Sequence, residues 1–123
     1  MMRRHLFAVL VVCAASGPAT AQTQAPPFEP ALLRLSELLG ALHYLRNLCG
    51  EPGTQWRDLM GKLIAAEATT DARKAQFTAS FNRGYRSFAS SYSTCTSSAV
   101  AAFERYRAEG EKLADQTAAR FGY

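Results

Sequence analysis

The side chains that could do chemistry in this 123-residue chain are few. Cys49 and Cys95 could close a disulfide, and His43 and Arg46, three residues apart, would stand on neighbouring edges of one helix face. With Trp56, Arg57, Asn82, Arg83 and Tyr85 they suit a pocket for an anionic group, such as a carboxylate of a cell-wall peptide. Arginine offers a planar fork to a carboxylate and tryptophan a flat apolar wall. A plainer assignment places Trp56 in the core, Arg46 as a surface or helix C-terminal charge and His43 at the boundary of the core.

Catalytic patterns are missing. A serine triad would depend on His43, and no GxSxG accompanies it. Glu37, Glu67 and Asp71 supply carboxylates, but their spacing selects no acid–base pair. A structural zinc needs about four ligands, more than His43, Cys49 and Cys95 provide. No glycine-rich phosphate loop or dinucleotide fingerprint is present. No catalytic, cofactor-binding or metal residue is therefore assigned, and a non-enzymatic protein without cofactor is expected.

The amino terminus sets the compartment in which these groups would work. Arg3 and Arg4 precede a charge-free apolar run, Leu6 to Ala15, and Ser16-Gly17-Pro18 leads into Ala19-Thr20-Ala21, a small-x-small cleavage site. A run of about ten residues is half the length that a membrane-spanning helix needs. Acylation at Cys13 would call for a small residue before it, and Val12 stands there. Residues 1–21 thus read as a cleavable signal peptide, cut after Ala21 on the way to the periplasm, with no membrane span beyond it. Loss of Arg3 and Arg4 lowers the formal net charge of +4 by two units, too little positive charge for a polyanion binder. Arg83, Tyr85, Arg86 and Phe88, then Phe103, Arg105, Tyr106 and Arg107, interleave cations with aromatics. The aromatics fall on an inward stripe and the arginines outside it, so a nucleic-acid partner is not expected.

Cys13 leaves with the leader, so Cys49 and Cys95 remain as an isolated pair, which usually closes in an oxidising compartment. A redox or metal role for the pair has no CxxC to support it.

The elements that must position these residues read as helices. Residues 22–30 (QTQAPPFEP) form a proline-rich flexible linker, and 31–123 a single helical domain. Leu35, Leu38, Leu42, Leu45 and Cys49 recur at three- and four-residue spacings, widened by Leu32 and Leu39, with Gly50 as the stop. After the turn Glu51-Pro52-Gly53, Thr54 opens a second helix with Trp56, Leu59, Met60, Leu63 and Ile64 on one face. Thr70-Asp71 caps a third whose inner stripe is Phe77, Phe81, Tyr85, Phe88 and Tyr92, with Gly84 permitting close packing on a neighbour. The polar residues around Cys95 mark a break before a fourth helix carrying Ala99, Phe103, Tyr106, Gly110, Leu113 and Thr117 inward. An all-α, up-down four-helix bundle puts Cys49 and Cys95 at the same end, within reach of a disulfide.

Leu39-Gly40-Ala41-Leu42-His43-Tyr44-Leu45-Arg46 with Cys49, Trp56-Arg57 with Met60, Phe81-Asn82-Arg83-Gly84-Tyr85 and Cys95 occur in that order over residues 32–121. This set resembles an uncharacterised alphaproteobacterial family of small secreted helical proteins with two separated cysteines, filed as a domain of unknown function. The resemblance implies export and the Cys49–Cys95 pairing, and brings no catalytic residue with it.

The expected function is that of a periplasmic interaction or adaptor protein in the cell envelope, acting on an envelope protein such as a cell-wall enzyme. Binding of a small ligand or peptidoglycan fragment at the His43/Arg46 region is the alternative, and a hydrolase the more distant one.

Overall fold

The structure, a computed structural model, describes Gly17 and residues 27–121. The rest of the expected leader, and residues 22–26 of the expected linker, lie outside the described residues. Four helices make up the fold: α1 (Glu29–Leu48), α2 (Gln55–Glu67), α3 (Asp71–Ala89) and α4 (Ser97–Phe121). Among the described residues there is no strand, and no helix is long and apolar enough to cross a membrane.

α1 is the centre of the molecule. Leu32, Leu38, Leu39, Leu42 and Leu45 are buried along it, with Ser36, Gly40 and Ala41 between them. A helix covered on most sides must be apolar on most sides; buried Ser36 meets this by donating its hydroxyl to the Leu32 carbonyl at 2.8 Å. Each of the other helices packs on α1, while α4 does not bring its backbone close to α2 or α3. α4 reaches them through aromatic side chains, Phe103 edge-on to Trp56 at 6.1 Å and Tyr106 edge-on to Phe88 at 4.9 Å. Leu32, Leu39, Met60 and Phe77 form one core cluster; Leu45, Ala99 and Ala102 form another beside the disulfide.

The helix ends follow local chemistry. α1 begins at Glu29 with proline in its first turn, so the last residues of the proline-rich stretch belong to the helix rather than to a linker. It stops as Gly50 adopts φ +83°, with the Glu51 N–H donating to the Arg46 carbonyl at 3.2 Å. Thr70 caps α3 by accepting the Arg73 N–H at 3.1 Å. α3 ends at Ala89, short of Tyr92, which lies in the following turn stacked on Phe88. α4 opens at Ser97, because Thr96 accepts the Ala99 N–H at 3.1 Å and makes part of the polar stretch a cap.

Cys49 caps α1 and Cys95 lies just before α4; their Cα atoms are 4.9 Å apart and their sulfurs are bonded. The staple joins the end of α1 to the start of α4, the helix whose backbone comes close to α1 alone.

Candidate functional site

The seven residues singled out from the sequence do not converge on one pocket. They divide among three hollows and an open face.

A groove of about 260 Å³ runs over α1 between α2 and α4. Its floor is Leu35, Leu39 and Leu42, its α2 wall Trp56, Leu59 and Leu63, and its α4 wall the small residues Gly110 and Ala114. The two walls meet where Trp56 touches Phe103 and stand apart further along, because no backbone contact joins α2 to α4. Leu59 is 40% exposed there, and Met60 is the one buried residue of α2. The groove is thus an uncovered strip of core. The Trp56 indole N–H is buried without an acceptor among the described residues.

Arg46 lies elsewhere. It pairs with Glu51 at 3.2 Å on the edge of a hollow that the Cys49–Cys95 disulfide and Phe103 help to line. Arg107 borders both this hollow and the groove, and is held between Glu104 at 2.8 Å and Glu111 at 2.7 Å. Arg83 is on a third face, exposed, 3.3 Å from the Ser80 hydroxyl and 4.0 Å from Glu37.

The other candidates lie around Phe81. Arg57 and Asn82 face a cleft of about 300 Å³ between α2 and α3, over Met60, Ile64 and Phe81. The His43 ring lies 6.0 Å from the rings of Phe81 and Tyr85, and Tyr85 stands edge-on to Tyr44 at 5.2 Å. Tyr85 is 38% exposed, so the aromatic stripe of α3 is inward at Phe77 and reaches the surface at Tyr85. Burial pushes the His43 pKa below its ordinary 6.5; Arg57 pushes it the same way and Asp58 opposes. His43 is therefore neutral at pH 7, on a half-buried aromatic patch. Among the described residues, no group of three or more His, Cys, Asp or Glu could hold a metal ion.

The family described as "Protein of unknown function (DUF2385)" matches residues 27–121. The chain belongs to the DUF2385 family. No curated protein and no solved structure matches it. The match spans all four helices and the disulfide, so each of the hollows lies within the DUF2385 domain.

The groove is lined mostly by apolar side chains, so polar and titratable residue types in the sequence do not mark it. Its signal is the surplus of α2: Trp56, Leu59 and Leu63 fall on one face of a helix whose neighbours bury little of it.

Proposed function

We propose that this DUF2385 protein is an exported, non-enzymatic adaptor of the cell envelope that seats an amphipathic helical segment of a partner protein in the groove between α2 and α4. The observation that carries this reading is the uncovered apolar strip itself. Three helices already line it, and the small residues Gly110 and Ala114, four apart on α4, allow a further helix to approach closely. A helix with apolar residues at three- and four-residue spacings suits such a groove.

Export to the periplasm, with cleavage after Ala21, is supported by Arg3 and Arg4, the Leu6–Ala15 run and the Ala19-Thr20-Ala21 site. The disulfide agrees with an oxidising compartment. An up-down course of the helices is supported by contacts along α1. Glu29 at its start meets Arg73 at the start of α3, whereas Tyr44 near its end donates to the Tyr92 carbonyl just past α3. Arg34 near the start of α1 binds Glu109 at the middle of α4, well past the α4 start that the disulfide ties to the end of α1.

A photo-crosslinking side chain at position 59 tests the reading in the periplasm. It should join the protein to one partner through an amphipathic helical segment, and a crosslinker at Lys74 should not. Leu59→Glu should abolish binding of that segment with the melting temperature nearly unchanged, since half-exposed positions contribute within about 0.5 kcal/mol. Equal yields from both positions, or crosslinks to a non-helical segment, would refute it.

A further inference from the structure

Most arginines of this fold are already committed to carboxylates. Arg34, Arg46, Arg73, Arg83 and Arg107 each lie within 4.0 Å of one. Arg57 does not: among the described residues its guanidinium has no ion pair and no hydrogen bond, yet it borders a cleft. Arg86 and Arg105 are also unpaired and, like Arg57, exposed; of the three it is Arg57 that borders the cleft between α2 and α3. The carboxylate next to Arg57 in the chain, Asp58, accepts from the Thr54 hydroxyl at 2.9 Å.

Across the cleft, the half-buried Asn82 carboxamide also has no hydrogen-bond partner among the described residues. Between the two lie the buried Met60 and the half-buried Ile64 and Phe81. A cation, an amide and an apolar floor within about 300 Å³ describe a ligand by its chemistry. A planar anion can take both arms of the guanidinium fork. A short aliphatic group can cover the floor, and the amide can pair with a remaining polar atom. One unpaired cation matches a single negative charge.

We infer that the cleft between α2 and α3 binds a small monocarboxylate, either a free acid or the C-terminal carboxylate of a short peptide, held by Arg57 and Asn82 over Met60, Ile64 and Phe81. The site lies on a different face of α2 from the groove proposed for a partner helix and shares no lining residue with it. Failure of one proposal therefore leaves the other standing.

Three probes test it: isobutyrate, acetyl-alanyl-alanine with a free carboxylate, and the same dipeptide as its C-terminal amide. Binding is read from the methyl NMR signals of Met60 and Ile64 in the folded protein. Both acids should give saturable shifts with dissociation constants of about a millimolar, and the amide none. Arg57→Gln should weaken binding at least about tenfold, and Asn82→Ala several-fold. Lys62→Gln removes an exposed cation of α2 that does not line the cleft, and should change nothing. Should Arg57→Gln disturb the fold, Arg57→Lys keeps the charge, loses the fork and should still weaken binding. A dipeptide bound about tenfold more tightly than isobutyrate identifies a peptide terminus as the ligand, and equal affinities a free acid. Binding of the amide as tight as that of the acid would overturn the inference. So would equal weakening by Arg57→Gln and Lys62→Gln, or no saturable shift below about 50 mM.

Discussion

Gly40 of α1 and Gly84 of α3 face each other's helix backbone where the two helices cross. A methyl group added to Gly40 would run into the Phe81 carbonyl, and one added to Gly84 into the Glu37 carbonyl. Each glycine thus makes room for the carbonyl of the opposite helix, and the crossing is close because both lack a side chain. The contact fixes the height at which Phe81 and Tyr85 meet His43, one turn along α1 from Gly40.

Glycine-to-alanine substitution should therefore have opposite signs at two positions. In a helix interior alanine is favoured over glycine by about 1 kcal/mol. At Gly40 or Gly84 the collision is with backbone, which cannot rotate away, and overpacking of this kind costs about 1–3 kcal/mol beyond that gain. Gly61 of α2 has nothing within 4 Å of the added group. Gly84→Ala should lower the midpoint of urea unfolding and Gly61→Ala should raise it. Two shifts of the same sign would show that the crossing is not tight.

The disulfide should contribute more than any single contact. It closes a loop with a sequence separation of 46 residues, for which the chain-entropy relation gives about 4 kcal/mol. Non-reducing peptide mapping should recover Cys49 joined to Cys95. Cys49→Ser should lower the melting temperature by roughly 16–32 °C in a domain of this size. Free thiols in the oxidised protein would contradict the pairing.

The fold was largely legible because its signals are local. The leucine spacing of α1, the Gly50 stop and the Thr70 cap are written in neighbouring residues, and the cysteine pair followed from counting. The candidate site was less legible because it depends on which face of α1 meets which helix. His43 and Arg46 are adjacent on a helical net, yet one meets the aromatics of α3 and the other the hollow beside α4. Periodicity marks Trp56, Leu59 and Leu63 as one apolar face, but does not say that α4 leaves part of it uncovered.

His43 should make stability depend on pH in a defined direction. Its folded pKa lies below 6.5 through burial first and the Arg57 charge second. The folded protein then binds fewer protons than the unfolded chain. Its contribution is complete above the unfolded pKa and is lost as pH falls through the folded value. Thermal melts from about pH 7.5 down to 5 should show a decline that His43→Gln reduces. Arg57→Gln should move the NMR titration of the His43 ring upward, and a downward shift would assign the effect to another charge.

Glu29 and Arg73 form the least exposed ion pair among the described residues, 3.1 Å apart with side-chain exposures of 7% and 20%. Glu29 also opens α1, where a negative charge is favoured by the helix dipole. The Arg73 guanidinium lies over the Phe77 ring at 5.7 Å, and its Nη2 is buried without an acceptor among the described residues. Glu29→Ala would leave a largely desolvated cation with its carboxylate gone, at a cost of about 2–4 kcal/mol. Arg46→Ala breaks a pair whose Glu51 side chain is 67% exposed, and should cost no more than about 0.5 kcal/mol. Arg73→Met keeps much of the apolar bulk over Phe77 while removing the charge. Combined with Glu29→Ala it should be less destabilising than the sum of the single changes, with a coupling of about 1–3 kcal/mol in urea unfolding. Additive effects would mean that the two charges are solvated independently and that α1 and α3 are held at this end by packing alone.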